Sequence, residues 1–144
     1  MVNAHPLDDP SIIDSDDLYR RLKPNQYDPE ENKPTPEAFL PRPQDNGKLS
    51  VFVARLTTIR FVIDQISRFP NFKDWKIGIL QARVPRKEGL FVRMAPSPNN
   101  PSHAQIGGEL LMDETKGINI RRRLAQACNI VEWHDDYFKD SNPC

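Results

Sequence analysis

The sequence has little cysteine and no long run of apolar residues. Cysteine occurs twice, as Cys128 and Cys144, and neither has a second Cys or His at the spacing of a metal-binding finger. Cys128 falls inside a predicted helix and Cys144 in a polar tail, so we expect reduced thiols, with Cys128 packed as a small apolar residue. No stretch approaches the ~20 apolar residues of a membrane span, and the start lacks the basic and apolar regions of a secretory signal. We therefore expect a soluble, cytoplasmic protein with no membrane partner.

An excess of charge of either sign is also missing, because 20 basic residues balance 20 acidic ones. This balance argues against a protein whose main task is to coat nucleic acid or an anionic membrane. The charge is nevertheless uneven along the chain: the net charge is −4 over residues 1–50, +6 over residues 51–133 and −2 over residues 134–144. Two interpretations follow, either acidic ends that lie over a basic centre or solvated charges spread around one domain.

Several motifs with a well-defined chemistry are absent. The chain has no phosphate-cradling glycine loop, no GxSxG elbow, no HExxH and no CxxC. His134, Asp135 and Asp136 are of the types that bind metals, but no second cluster of ligands accompanies them. The sequence therefore predicts neither a metal site nor another cofactor.

Proline, in contrast, is abundant, with 14 residues, of which eight lie in the first 43 positions. Because proline removes backbone donors, this region is not expected to form long regular elements. A chain of 144 residues allows one domain. We expect a flexible acidic arm over residues 1–16, a single α+β domain over residues 17–133 that includes a proline-rich loop over residues 23–48, and a polar C-terminal tail over residues 134–144.

Hydrophobic periodicity predicts the regular elements of the domain. Two segments have apolar residues at helical spacing, and runs rich in β-branched and aromatic residues predict the strands. The helical positions are Ile59, Val62, Ile63 and Ile66, after a capping Thr57 or Thr58, and then Ile120, Leu124, Ala127 and Cys128. The strands are expected over residues 17–22, 49–53, 75–84, 90–94, 103–106 and 130–133. The predicted fold is α+β, a small mixed β-sheet covered by two helices.

Two of these strands carry a more specific expectation about their place in the sheet. Pro24 stops the strand over residues 17–22, which favours a short strand at the edge of the sheet. Residues 85–89, with the sequence Pro-Arg-Lys-Glu-Gly, are typical of a turn. They predict a hairpin between the strand that precedes them and the strand over residues 90–94.

Three short segments in the first 106 residues form a pattern. They are Leu18-Tyr19-Arg20-Arg21-Leu22-Lys23-Pro24, then Phe39-Leu40-Pro41 with Asp45 and Leu49-Ser50-Val51, and finally Asn100-Pro101-Ser102-His103-Ala104-Gln105-Ile106. In this order they resemble a loose group of small, functionally uncharacterised bacterial proteins. The resemblance implies a prokaryotic, soluble, single-domain protein, and it brings no functional residues with it.

Three residues of these segments have side chains of the types used in binding and catalysis: Arg20, Ser50 and His103. Arg20 offers a guanidinium fork, Ser50 a hydroxyl beside a strand start and His103 an imidazole at the mouth of a loop. With Glu109 as the acid, the set resembles the active sites of ADP-ribosyltransferases and related NAD-cleaving toxins, in which arginine holds a diphosphate and glutamate orients the nucleophile. Each residue also has a structural interpretation: a surface ion pair for Arg20, a bond to edge backbone for Ser50 and a turn cap for His103.

Arg121, Arg122 and Arg123 are candidate contacts to phosphate or nucleic acid. On a helix, three consecutive side chains fan through ~200°, so at most two of them face one groove. A solvated helix face also explains the run. Binding of phosphate or nucleic acid through the basic centre is accordingly the third function that we consider.

A non-enzymatic accessory protein is the function that the sequence favours. With 38% hydrophobic residues the core is modest, and the long segments with few apolar residues predict that a protein partner supplies the missing burial. The alternative is an NAD-cleaving or ADP-ribosyl-transferring enzyme that uses Arg20, Ser50 and either Glu109 or His103.

Overall fold

The computed structural model describes residues 4–131, and it confirms the α+β class. Within this range six strands form the main sheet and two short strands form a separate ribbon. The strands are β1 (Asp17–Leu22), β2 (Tyr27–Asp28), β3 (Lys33–Pro34), β4 (Lys48–Val53), β5 (Lys76–Gln81), β6 (Phe91–Met94), β7 (His103–Gly107) and β8 (Asn129–Val131). The helices are α1 (Ile59–Ile66), α2 (Arg83–Lys87) and α3 (Lys116–Ala127). The tail predicted over residues 134–144 lies outside the described residues.

The main sheet has the strand order β6-β7-β4-β1-β5-β8. Every strand pair among residues 4–131 is antiparallel. The predicted small β-sheet is therefore built from antiparallel pairs. β1 lies in the middle of the sheet, between β4 and β5, so its predicted edge position is wrong. The reason is that Pro24 follows the last strand residue, Leu22, and removes no bond from the ladder.

Helix α1 covers one face of the sheet. It begins after Thr58, whose hydroxyl oxygen accepts a hydrogen bond from the backbone N–H of Phe61 at 3.1 Å. Val62, Ile63 and Ile66 are fully buried against apolar side chains of β4 and β5. The predicted helix, its cap and its apolar face are confirmed.

Helix α3 covers the opposite face, together with a one-turn 3-10 helix over Pro36–Phe39. Ile120 and Leu124 pack against apolar residues of β1, β4 and β7, and Phe39 is fully buried in the same core. Cys128, which follows the helix, is also fully buried, as predicted, and this burial raises the pKa of its thiol to about 12. The second predicted helix is therefore confirmed, but one position of its predicted apolar face is wrong, because Ala127 is exposed and Ala125 is buried instead.

The connection between β5 and β6 is a helix rather than a hairpin turn. Residues Arg83–Lys87 form α2, with Pro85 at its third position, where the first turn of a helix tolerates proline. β5 and β6 do not pair, because β1, β4 and β7 lie between them in the sheet. The predicted hairpin is therefore wrong, and β6 pairs instead with β7, the next strand along the chain.

The proline-rich segment, residues 23–48, packs against the domain. Pro34 and Pro41 are buried. The Nζ of Lys33 donates hydrogen bonds to the carbonyl oxygens of Gln126 and Cys128, at 3.0 and 3.1 Å, and so satisfies acceptors at the C-terminal end of α3. Apolar burial for this segment is thus supplied within the chain itself.

The acidic N-terminal segment also lies against the domain where it is described, over residues 4–16. Ile12 is fully buried in the core. Arg86 of α2 donates hydrogen bonds to the carboxylates of Asp8 and Asp14, at 3.0 and 2.9 Å, and to two backbone carbonyls of the same segment. These bonds hold the described part of the predicted arm on α2.

A test of the core assignment compares two positions on α3. Leu124 is 0% exposed, whereas Ile118 is 48% exposed. Leu124→Asp should lower the free energy of unfolding by several kcal/mol and abolish the fold. Burial of a carboxylate without a partner costs several kcal/mol, whereas the total stability of a domain is ~5–15 kcal/mol. Ile118→Asp, the control, should melt within a few degrees of the wild type by circular dichroism. Equal melting of both variants would show that the buried face of α3 is misassigned.

A second test concerns the N-terminal segment. Arg86→Gln should release residues 4–16, because it removes charge-assisted hydrogen bonds worth ~1.5–3 kcal/mol each. Cleavage before Asp8 and Asp14 by endoproteinase Asp-N should then become about tenfold faster or more. Arg83→Gln, at an exposed position of the same helix, is the matched control and should leave the rate unchanged. If both variants are cleaved like the wild type, Arg86 does not hold the segment.

Candidate functional site

The two central strands, β1 and β4, pair over only two positions. Leu18 faces Val53 and Tyr19 faces Phe52, and the pairing ends there although each strand has six residues. On their outer sides both strands stay paired, β1 with β5 over six positions and β4 with β7 over five. The central strands therefore separate beyond Tyr19, and a cleft opens between their inner edges.

Arg20 bridges this gap. Its Nε donates a hydrogen bond to the carbonyl oxygen of Ala38 at 2.7 Å, and its Nη1 donates one to that of Ser50, on β4, at 2.8 Å. The guanidinium takes the place of a backbone donor that β1 would supply in a continuous ladder. It also lies over the ring of Phe39, 5.9 Å from the ring centroid. Among the described residues no carboxylate bonds to Arg20, and its Nη2 has no hydrogen-bond partner.

The cleft has a volume of about 280 Å³ and a strongly basic lining. Its cationic side chains come from β1, the proline-rich segment and β4, and they are Arg20, Arg21, Lys23, Arg42 and Lys48. Within the described part of the chain the lining has one carboxylate, Asp45, and Arg42 holds it through hydrogen bonds of 2.9 and 3.1 Å. Among residues 4–131, Arg20, Arg21, Lys23 and Lys48 have no carboxylate partner.

Two of these cations lie close to other cations. Burial, followed by the charge of Arg21, lowers the pKa of Arg20 to about 10, which leaves the group protonated at neutral pH. Burial also lowers the pKa of Arg21, and Arg42 and Arg68 lower it further. Both guanidinium groups lose hydration without gaining a carboxylate from the described residues. Such an arrangement favours an anion in addition to the groups that the described residues supply.

An aromatic pair also lines the cleft. The rings of Phe69 and Trp75 are stacked, with centroids 4.5 Å apart and an angle of 13° between their planes. Trp75 is 6% exposed, but Phe69 is 39% exposed. An accessible ring beside a group of cations is the combination that proteins use to bind a base and its phosphate.

Ser50, in the lining of the cleft, forms a hydrogen-bonded pair with His103, which lies beside the cleft. The Nδ1 of His103 lies 2.7 Å from the carbonyl oxygen of Ala95, and its Nε2 lies 3.1 Å from the hydroxyl of Ser50. Because a carbonyl oxygen only accepts, Nδ1 must carry the proton. The Nε2 of the neutral ring is then an acceptor, so the hydroxyl of Ser50 donates to it. Ser50 is exposed, and it lines the cleft.

The other candidates from the sequence lie elsewhere. Glu109 follows the far end of β7 from His103, and its carboxylate is 3.4 Å from Nε2 of His5. In the arginine run, the Nη1 of Arg121 donates to the carbonyl oxygen of Leu111, Arg123 forms two bonds with Glu88, and Arg122 is exposed. His134, Asp135 and Asp136 lie outside the described residues. The structure thus places Arg20 and Ser50 in the lining of one cleft and His103 beside it, bonded to Ser50, and it leaves Glu109 and the arginine run apart from the cleft.

Sequence reasoning missed most of the cleft lining. Arg42 and Lys48 belong to no motif, Arg21 and Lys23 lie in the first of the three short segments without an assigned role, and all four are typical of ordinary surface charges. The available signal was that six basic residues, among them Arg42 and Lys48, lie in the first 50 positions, whose net charge is −4. That signal does not say which other residues the fold places beside them.

Comparisons with known proteins do not assign this site. No protein-family model, curated protein or solved structure matches the chain. Over residues 4–131 no group of three or more His, Cys, Asp or Glu residues is arranged to hold a metal ion. The helices found in that range are all too short or too polar to cross a membrane. The interpretation of the cleft therefore depends on its own geometry and charge.

The state of His103 can be tested directly. We expect the neutral ring to carry its proton on Nδ1, because the carbonyl of Ala95 fixes that tautomer. Long-range ¹H–¹⁵N correlation spectroscopy of the labelled protein distinguishes the two ring nitrogens. Ser50→Ala removes the donor to Nε2 but keeps the Ala95 contact, so this control should show the same tautomer. A neutral ring protonated on Nε2 would contradict the assignment.

Proposed function

We propose that the chain binds a small phosphate-bearing ligand in the cleft between β1 and β4. The observation that carries this proposal is the excess of cations in the lining, where Arg20, Arg21, Lys23 and Lys48 have no carboxylate partner among the described residues. The phosphate would lie against these cations, and a planar ring of the ligand would stack on Phe69.

The energetics of the cleft support an anionic ligand. A guanidinium that is removed from water without a counter-charge is unfavourable, and a phosphate supplies the missing charge. Each charge-assisted hydrogen bond to it contributes ~1.5–3 kcal/mol. The guanidinium of Arg21 offers a fork of N–H donors. The Nη2 of Arg20, which has no hydrogen-bond partner among the described residues, offers further N–H donors, and both groups suit the oxygens of a phosphate.

The size of the cleft supports a compact ligand. Its volume of about 280 Å³ lies just below the ~300–1,000 Å³ that is typical of ligand pockets. A nucleoside monophosphate fits this size better than a dinucleotide such as NAD. The position of Glu109, beside His5 and away from Ser50, also gives no support to the NAD-cleaving alternative.

Docking on a protein partner stays a prediction from the sequence. Its argument is that residues 23–48 need apolar burial from outside the chain. The burial of Pro34, Ala38, Phe39 and Pro41 within the domain weakens that argument. The same segment contributes Arg42 and Lys48 to the cleft, which favours a role in ligand binding.

Thermal shift measurements with four compounds test the proposal. Adenosine monophosphate at one hundred times its dissociation constant should stabilise the fold by about 2.7 kcal/mol, a rise in Tm of about 5–10 °C for a chain of this size. Ribose 5-phosphate and inorganic phosphate should give smaller shifts, since they lack the ring. Adenosine, which lacks the phosphate, should give none at the same concentration. No shift with any phosphate compound would contradict the proposal.

Variants then show which residues hold the ligand. Arg21→Gln and Lys48→Gln should each weaken binding of adenosine monophosphate about tenfold or more, because each removes a charged donor. Phe69→Ala should weaken it about 5- to 100-fold through lost stacking, while binding of ribose 5-phosphate stays nearly unchanged. Arg122→Gln removes an exposed cation that does not line the cleft, and it is the matched control. Equal weakening by the control would show that only the overall charge matters.

A further inference from the structure

We infer that Ser50 is a nucleophile, with His103 as its general base, that cleaves acyl compounds whose leaving group carries a phosphate. This inference rests on the proposed function, because the phosphate of the leaving group would occupy the cleft between β1 and β4. The juxtaposition that carries it is an exposed serine, hydrogen-bonded to an oriented histidine, in the lining of a cationic cleft.

Ser50 and His103 are arranged like a nucleophilic serine and its general base. A base must lie within hydrogen-bond reach of the nucleophile, and a third group must orient the base. His103 meets both conditions, with its Nε2 3.1 Å from the hydroxyl of Ser50 and its Nδ1 2.7 Å from the carbonyl oxygen of Ala95. The carbonyl of Ala95 holds the imidazole in the tautomer that accepts the proton of Ser50.

The backbone at Ser50 is turned toward the cleft. In an antiparallel strand the N–H and C=O of one residue point to the same side. The C=O of Ser50 accepts from Arg20 on the side of β1, so the N–H of Ser50 points into the same opening. This N–H is placed to donate to an oxygen that becomes negative when Ser50 attacks a carbonyl carbon.

The pair also joins two cavities. Ser50 lines the basic cleft, whereas His103 lines a neighbouring groove of about 690 Å³ beside α1, together with Phe61 and Gln65. A substrate with its phosphate in the cleft has room for its acyl group in this groove. Two cavities, one for a phosphate and one for an acyl group, fit acyl phosphates and acyl esters of phosphorylated alcohols.

The reaction proceeds in two steps. The hydroxyl oxygen of Ser50 bonds to the acyl carbon while its proton moves to Nε2 of His103, and the bond from that carbon to the leaving oxygen breaks. The leaving group takes up the electron pair. An alkoxide leaving group also takes the proton from His103, whereas with a phosphate leaving group His103 gives that proton to solvent, so that Nε2 is an acceptor again before the second step. Water then attacks the acyl-serine with His103 as base, and the hydroxyl of Ser50 is restored. The net change is hydrolysis to a carboxylic acid and the phosphate-bearing leaving group.

Labelling of the full chain with an alkyl fluorophosphonate tests the nucleophile. Peptide mapping should locate the label on Ser50, and Ser50→Ala should lose it. His103→Gln should slow labelling by about 10²–10⁴-fold. Ser67→Ala is the matched control, because the hydroxyl of Ser67 is exposed but bonds only to the carbonyl oxygen of Asp64 among the described residues. Thermal melts of each variant show whether it is folded.

Acetyl phosphate hydrolysis tests the link to the cleft. Wild type should exceed the uncatalysed rate, Ser50→Ala should not, and Lys48→Gln should reduce the rate while fluorophosphonate labelling of Ser50 continues. If phosphate compounds raise the Tm but Ser50 is never labelled, the inference is wrong and the proposed binding function stands. If Ser50 is labelled but acetyl phosphate is not hydrolysed faster than in Ser50→Ala, the assigned substrate class is overturned. If no phosphate compound binds, the proposed function fails and the inference fails with it.

Discussion

The gap between the two central strands is the constraint on which the rest of the molecule depends. β1 and β4 share two paired positions, and each of them holds one half of the sheet: β5 pairs with β1 and β8 with β5, while β7 pairs with β4 and β6 with β7. Arg20 joins the two strands by a side chain, and its second acceptor, the carbonyl of Ala38, belongs to the proline-rich segment. One guanidinium thus ties three parts of the chain together, although burial and the neighbouring Arg21 disfavour its charge.

The proline-rich segment makes this arrangement possible. Pro36 and Pro43 occupy the first positions of one-turn 3-10 helices, where their fixed φ suits the turn and no donor is lost. The first turn presents the carbonyl of Ala38 to Arg20, and the second places Asp45 against Arg42. The proline-rich segment thereby builds one wall of the cleft.

The elements with local signals were predictable from the sequence, and the cleft was not. The spacing that includes Ile63 and Leu124 depends on residues close in sequence, and both helices are confirmed. The central place of β1 and the separation of β5 from β6 depend on pairing between distant segments, which periodicity does not contain. The same limit applies to the site: Arg20, Ser50 and His103 were candidates by residue type, but only the sheet register shows that they meet.

The charge pattern explains why a chain with no net charge has a basic cleft. The carboxylates of the N-terminal segment are engaged elsewhere, with Asp8 and Asp14 on Arg86 and Asp16 on Arg55 at 2.9 Å. These ion pairs neutralise Arg86 and Arg55, and among the described residues no carboxylate is left for Arg20, Arg21, Lys23 and Lys48 of the cleft. Because Coulomb interactions between exposed charges are screened beyond ~8–10 Å, a distant carboxylate does not offset the cleft. Overall neutrality and a local site for an anion are therefore compatible, and pairing within the fold decides where the excess lies.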